Sequence, residues 1–377
     1  MDPAAPIQVL HLCAANLYGG VERIVAECAI DRALCPGMRP AFAVCFEGRL
    51  AQEIETAGLP CTILGPSRVS RPHTIVRARR QLARLLESDR PDVVVCHSSW
   101  IYGLAAPPVR ATTATLALWV HDRLSGRPWA ERWARLTPPD QMITNSRFTD
   151  ESVSPVYPGI SRAVVYAPVP PGVADGLSRT RLRESLGVDG DTPVVLIASR
   201  FERWKGHPDL IEAAARIAEP WQMWIAGSPQ REPEEAYEVE LRELAASSGV
   251  ADRVRFLGER RDVPALMRAA DVLCQPNTAP EPFGLVFVEA LYAGLPVITT
   301  AMGGPLEIVT GECGALVPPG DRDALVQALR QLIVDPSVRG RLGAGGPARA
   351  HQLCDPARQL TALAETLAAA RAKQVSG

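Results

Sequence analysis

Arg200 and Lys205 lie five residues apart in "ASRFERWKGHPDL". They follow the apolar run "VVLIAS", and Lys205 reads as the opening of the next helix. Two cations at a strand end beside a helix N-terminus suit a phosphate, because the helix dipole and its free backbone N–H groups add to the fixed charges. The lysine is conspicuous. The chain has two, Lys205 and Lys373, against 38 arginines. An ammonium is a compact point charge with rotatable donors, able to follow a phosphate oxygen as a bond breaks, whereas a guanidinium is a fixed planar fork. A solvated basic turn is the plain alternative.

A second group of residues lies in "APEPFGLVFVEALYAGLPVITTAMGGPLEIV". Glu281 precedes Pro282, a favoured residue at a helix start. Phe283, Gly284 and Leu285 then offer backbone N–H groups there, and Gly284 lets a ligand approach the main chain. Glu289 is the one charge in "FGLVFVEALYAG". A carboxylate among such neighbours is costly unless something binds it. A ribose diol would supply two hydroxyl donors, and an ion pair with a buried arginine would serve equally.

Two candidates lie nearer the N-terminus. "NLYGGVERI", with Gly19 and Gly20, has the strand–glycine–helix pattern of a phosphate loop, or of a tight turn. His121 ends the run "LALWVHD" beside Asp122, as a general base or a plain strand end. His97 ends a strand too, with a weaker claim.

These residues need elements to hold them just beyond strand ends. Short apolar runs at 7–14, 41–47, 61–65, 92–98, 115–122, 141–146 and 163–169 alternate with helical periods. That is the pattern of a parallel sheet with crossover helices. The Pro-, Gly- and Asp-rich segment 167–191 interrupts it and reads as an interdomain connection. The alternation then restarts and ends in helices near 321–334, 336–350 and 356–374. The expected architecture is α/β, two Rossmann-like doubly wound domains facing a central cleft. The boundaries are 1–170 for an acceptor-side domain and 171–355 for a donor-binding one. A C-terminal helix, 356–377, is expected to pack back across the junction. Ligands of such sheets bind at the carboxyl ends of the strands.

From "ASRFERWKG" through "EPFGLVFVEALYAGLPVITT" and "GGPLEI" to "GALVPPGD", the C-terminal half resembles the retaining, nucleotide-sugar-dependent glycosyltransferases of family 4, glycosyltransferase group 1, which have the GT-B fold. The E-x7-E pair, the R-x4-K pair and the Gly-Gly loop occur in the family's order, densely over about 193–325 and more loosely before it. The resemblance implies that Arg200 and Lys205 hold the donor diphosphate and stabilise the leaving group. It implies that Glu289 binds the ribose, and that Glu281 with Phe283, Gly284 and Leu285 holds the transferred sugar. Gly19 and Gly20 would close on the phosphates, and His121 would sit by the reacting carbon. The nucleobase would lie against backbone near Gly258 and Arg260. Catalytic roles fall to Arg200, Lys205, His121 and Glu281. One departure stands out: many members have an Asn-Gly-Val-Asp-like stretch where this chain has "APVPPGVADG".

The implied activity is hexosyl transfer from a nucleoside-diphosphate sugar, UDP before GDP on family prevalence, to a glycan, lipid-linked or small-molecule hydroxyl. No cofactor and no metal are expected: "DGD" at 189–191 falls in a turn, and "DRD" at 321–323 where helix caps belong. Another GT-B enzyme, such as an epimerase or phosphorylase, and a non-catalytic nucleotide-sugar-binding protein are the alternatives. A dinucleotide oxidoreductase is a further rival, but "LYGG" is not G-x-G-x-x-G.

Composition sets outer limits. Residues 1–170 hold 18 arginines and 15 acidic residues, and the whole chain has a net charge of −2. Neither half has the basic excess of a nucleic-acid binder. Nine scattered cysteines, none in C-x-x-C, read as reduced thiols of a cytoplasmic protein. "MDPAAPIQVL" lacks the features of a signal peptide. The basic amphipathic stretch 71–86 is a candidate for peripheral contact with the inner face of a membrane, or an ordinary solvated helix face.

Overall fold

The computed structural model describes residues 5–173, 178–230 and 232–376. The chain forms two compact units, Met1–Val169 with Cys354–Gly377, and Pro170–Leu353.

The first unit is built on seven strands: β1 Ile7–Cys13, β2 Met38–Val44, β3 Cys61–Ile63, β4 Val93–Cys96, β5 Thr115–Val120, β6 Gln141–Thr144 and β7 Arg162–Val164. All pairs are parallel, in the order β3-β2-β1-β4-β5-β6-β7. Strands covered on both faces need apolar residues on both, so "VVVC" and "TLALWV" show no polar alternation. Leu10, Leu12, Val94, Cys96, Leu116 and Leu118 join one core with Ala78, Leu82 and Leu104 of the covering helices. By alternation along the strands, His11, His97, Trp119 and His121 belong to the other face.

One device in this unit is not visible as a sequence pattern. The helix Ser99–Arg110 contains Pro107 and Pro108. Neither has an N–H, so the carbonyls four residues earlier, of Gly103 and Leu104, lose their helical donors. Arg79, on the helix Pro72–Asp89, supplies both: Nη2 donates to the Gly103 oxygen and Nε to the Leu104 oxygen, each at 3.0 Å. Two donors in a rigid fork match two adjacent carbonyls.

The second unit has six strands: β8 Val194–Ala198, β9 Gln222–Ala226, β10 Val254–Gly258, β11 Val272–Gln275, β12 Val297–Thr300 and β13 Gly314–Val317. Their order, β10-β9-β8-β11-β12-β13, repeats that of the first sheet without its seventh strand. This is the doubly wound order, with a switch point between the first and fourth strands of each unit.

The segment 167–191 is not merely a connection. Within it, Arg179–Ser185 is a helix capped by Ser178, whose Oγ accepts from Arg181 N at 3.4 Å. Leu182 is buried, and Arg183 is a buried staple. Its guanidinium donates to Asp271 Oδ2 at 3.0 Å and to the Thr192 oxygen at 2.6 Å. Asp271 Oδ2 also accepts from Val194 N at 2.8 Å, so the helix is fastened to the starts of β8 and β11. Proline and glycine density hid a short helix whose specificity is ionic. Residues 174–177 of this segment lie outside the described residues.

The final helix, Pro356–Ser376, is part of the first unit. The Thr115 hydroxyl donates to Gln374 Oε1 at 2.6 Å, Arg371 pairs with Asp92 at 2.7 Å, and Cys35 Sγ donates to the Leu360 oxygen at 3.4 Å.

Removing Arg79 strands two carbonyls. Arg79→Ala is expected to lower stability by about 2–4 kcal/mol, judged from a cost of roughly 1–3 kcal/mol per unsatisfied buried group. Arg79→Lys should recover only part of this, because an ammonium cannot reproduce the fork. Urea denaturation of the three proteins makes the comparison, and an unchanged midpoint for Arg79→Ala would refute it.

Candidate functional site

In the second unit the chemistry-bearing residues gather at the switch point. Arg200 follows β8, and Glu281 follows β11. The Lys205 ammonium lies 2.7 Å from Glu281 Oε2, tying the two strand ends together. The side chains are 13% and 11% exposed, so this is a nearly buried ion pair. Asn277 Nδ2 donates to the same Glu281 oxygen at 3.4 Å, and Gln275 Nε2 donates to Asn277 Oδ1 at 3.0 Å. The ammonium also stands 3.8 Å from the centroid of the Trp204 ring, a cation–π contact. Asn277 and Gln275 were missed in the sequence. Their signal was the polar turn "QPN" directly after an apolar strand.

Lys205 does not open a helix, as the sequence suggested. Arg203–Lys205 form a 3-10 turn, and the α-helix begins at His207. Gly206 separates them with φ 78°. A Cβ there would lie 1.9 Å from the Pro276 carbonyl oxygen, so glycine alone lets the lysine turn press against the β11 loop. Thr278 N donates to the Trp204 oxygen at 2.8 Å across the same seam. His207 is buried and contacts Ser199 Oγ through Nε2 at 3.3 Å. Burial, and then the Lys205 charge, push its pKa down to about 3.

Arg200 is part-exposed and paired with Glu202 at 2.7 Å. Both proposed phosphate cations therefore carry a carboxylate partner of their own.

The helix after β11 starts later than Pro282 suggested. It spans Leu285–Tyr292, with Gly284 as a left-handed N-cap and no side chain capping it. Phe283 is buried and precedes the helix. Glu289 is half-buried rather than enclosed, because the helix turns it away from the side carrying Phe287, Val288 and Leu291. The Gly-Gly loop after β12 braces Glu281: Gly304 N donates to the Glu281 oxygen at 2.8 Å. Gly303 has φ 69°, and a Cβ on it would lie 2.2 Å from that oxygen. Gly258 ends β10, and its carbonyl accepts from Gly227 N at 2.9 Å. The Arg260 fork is closed on Asp262 by bonds of 2.7 and 2.6 Å.

In the first unit, Gly19 caps the helix Gly20–Ile30, and its N–H donates to Glu22 Oε2 at 3.0 Å. Its φ of −156° is extended, and a Cβ would meet nothing closer than that carboxylate, at 3.7 Å. The turn itself does not demand glycine there. His121 is buried, and its carbonyl accepts from Asn145 Nδ2 at 3.0 Å. His97 is not peripheral: its Nδ1 lies 3.1 Å from His121 Nε2.

Both sheets thus have the doubly wound order, with candidate residues at their strand ends, which is the GT-B type of α/β protein. Residues 178–349 match the family of glycosyl transferases group 1. Among curated relatives it is 37% identical over 196 residues to a D-inositol 3-phosphate glycosyltransferase of Xylanimonas cellulosilytica, an alignment covering 51% of this chain and 46% of that protein. It is 34% identical over 165 residues to the lipopolysaccharide core biosynthesis glycosyltransferase LpsE of Rhizobium meliloti, covering 44% and 46%. The chain spans about half the length of the curated relatives it matches. Among solved structures, Anabaena HepE in complex with UDP and glucose superposes with a TM-score of 0.85 at 24% identity, covering 96% of this chain and 100% of that one. WaaG, a glycosyltransferase involved in lipopolysaccharide biosynthesis, gives 0.68 at 18% identity, covering 96% and 99%.

Two glycine substitutions separate packing from open space. Gly303→Ala is expected to destabilise by about 2 kcal/mol or more, from a strained φ and a backbone clash. Gly19→Ser, which keeps a good N-cap, should change stability by less than ~0.5 kcal/mol. Thermal and urea unfolding measure both, and equal losses would contradict the contrast.

Proposed function

We propose that the protein is a retaining, family 4 glycosyltransferase. It moves a hexosyl group from a nucleoside-diphosphate sugar, UDP-linked in preference to GDP-linked, to a hydroxyl of a glycan, lipid-linked or small-molecule acceptor. The observation that carries this reading is the Lys205–Glu281 pair at the switch point of a group 1 domain. Relatives named for inositol-phosphate and lipopolysaccharide-core transfer, and a fold neighbour bound to UDP and glucose, support it.

The main barrier is departure of the diphosphate as negative charge grows on it. Arg200 and Lys205 meet that charge from fixed positions, which costs no reorganisation at the moment of reaction. Glu281 holds the ammonium in place and, with backbone at Phe283, Gly284 and Leu285, takes hydroxyls of the transferred sugar. Glu289 binds the ribose hydroxyls, and backbone near Gly258 and Arg260 meets the base. Gly19 and Gly20 approach the phosphates, a role that fits the absence of any packing demand for glycine at 19. His121 lies by the sugar. The acceptor attacks from the face the phosphate leaves, and that phosphate takes the acceptor proton.

The reaction needs no metal in this proposal. Asp321 Oδ1 caps the helix Arg322–Val334 by accepting from Ala324 N at 2.9 Å, and Asp323 pairs with Arg216 at 2.7 Å.

Lys205→Ala would strand a buried Glu281, so the charge-conserving variant is the cleaner probe. Lys205→Arg is expected to lower transfer at least ~10-fold, and Glu289→Ala about 10²–10³-fold, the range for losing one preorganised polar group. Both should keep the far-UV spectrum of the parent, and transfer by the parent should persist in EDTA. Product analysis on a nucleotide-sugar panel reads all of this. Full activity of Lys205→Arg would remove the case for a compact ammonium at this position.

We place the protein in the cytoplasm with peripheral contact at the inner membrane face. No helix of the described residues is long and apolar enough to cross a membrane. On the helix Pro72–Asp89, Arg77, Arg80 and Arg84 are exposed, whereas Arg79 is committed inward and takes no part. Three such charges give about 3 kcal/mol toward anionic lipid at ~1 kcal/mol each. Vesicles containing phosphatidylglycerol should co-sediment the protein, and Gln at all three positions should release it. Equal binding to purely zwitterionic vesicles would contradict the electrostatic contact.

A further inference from the structure

Half of the chain's six histidines form one buried row. His11 Nδ1 lies 3.0 Å from His97 Nε2, and His97 Nδ1 lies 3.1 Å from His121 Nε2. His11 and His97 are 1% exposed and His121 is 7% exposed. The rings are clamped by aromatic neighbours. His11 stacks on Phe42 at 18°, His97 on His121 at 11°, and Trp119 on His121 at 26°. The row crosses the first sheet's switch point, from β1 to the ends of β4 and β5.

Each end nitrogen of the row, His11 Nε2 and His121 Nδ1, is buried without a hydrogen-bond partner among the described residues. Burial holds all three rings neutral: it pushes His11 and His121 down to about 3 and His97 well below its usual value. A neutral imidazole has one N–H and one lone pair. Two bonds along three such rings therefore form in only two ways. Either every Nδ1 carries the proton, or every Nε2 does. In the first, the row ends in a bare lone pair at His11 Nε2 and an N–H at His121 Nδ1. In the second, a bare N–H is buried against Phe42. Each arrangement leaves one N–H without a partner, and such a group is costly when buried. His11 lies inside β1 under Phe42 and is 1% exposed, whereas His121 stands just past the carboxyl end of β5 and is 7% exposed. Only the first arrangement puts the N–H where a ligand can take it up, and this selects it.

We propose that His11 and His97 are positioning residues that fix His121 as the Nδ1–H tautomer, so that it presents a hydrogen-bond donor to oxygens of the donor sugar. The role toward sugar rests on the function proposed above; the coupling of the three rings does not.

Histidine-selective ¹⁵N NMR of the protein without substrate reads the tautomers directly. All three rings should show Nδ1–H, and Nε2–H at His121 in the parent would overturn the proposal. His11→Phe keeps the stacking but removes the donor, and should raise the Nε2–H population of His121. His11→Asn, whose amide can stand in for Nδ1–H, should restore the parent pattern. In transfer assays, His11→Phe should lower kcat about 10- to 100-fold, the range for losing a group that orients a functional histidine. KM for the donor should move by less than about threefold, and His11→Asn should recover much of the loss. An unmoved His121 tautomer in His11→Phe, or a moved one with unchanged kcat, would refute the assignment. If the parent transfers no sugar, the functional reading fails, and the NMR series still decides the coupling.

Discussion

An ammonium and a carboxylate withdrawn from water are tolerable only together. Stranding one partner of a buried pair costs about 3–5 kcal/mol, and even the intact pair gains little over apolar packing. The Lys205–Glu281 bridge is thus poor value as a fastening, yet much of the second unit's local geometry serves it. Gly206 lets the lysine turn lie against the Pro276 carbonyl, and Gly303 and Gly304 let the next loop lie against the backbone of Glu281 and of Pro282 and Phe283. Gln275 orients Asn277, and Asn277 reaches the same carboxylate oxygen as the lysine. A group of residues arranged at such expense around one ion pair makes sense when a ligand is to meet that pair.

The same logic of committed side chains corrects the meaning of abundant arginine. With 38 in the chain, arginine reads as background. Several are nevertheless single-purpose. Arg79 replaces two proline-deleted helical donors, Arg183 staples a helix to two strand starts, and Arg260 is closed on Asp262. The planar fork suits these fixed tasks, where two acceptors sit at a set spacing. Lysine occurs instead where the acceptor is one carboxylate oxygen and the space is bounded by a tryptophan face.

Most of the architecture was legible because both sheets are parallel and buried, which forces continuous apolar runs between helical periods. The runs around 92–98 and 115–122 are β4 and β5, and the three terminal helices fall close to their expected positions. The misses share a physical cause. Arg179–Ser185 is held by ionic contacts to residues far along the chain, and Arg79 answers a defect created 28 residues later, at Pro107. Periodicity carries no trace of either. The residue types at the second unit's strand ends were readable from spacing, but the part Asn277 plays was not: the polar turn "QPN" marks a strand end, and only the fold brings its asparagine to Glu281.

The histidine row was also invisible, for a different reason. His11, His97 and His121 are separated by 86 and 24 residues, and each alone is an ordinary histidine, the first within a strand and the others just past strand ends. Only the strand order makes them neighbours, since β1, β4 and β5 lie side by side around the switch point. The second sheet uses its own switch point in the same way, joining residues after β8 and β11. In both units, polar groups that topology brings together are kept from water and satisfied mainly by each other. Such a row or pair responds as a whole when one member gains a new partner, because its remaining hydrogen bonds cannot be exchanged with solvent. Opening the crossover between the first and fourth strands is what creates room at that edge. Filling it with mutually dependent polar groups, rather than with independent ones, holds each of them in one orientation until something binds.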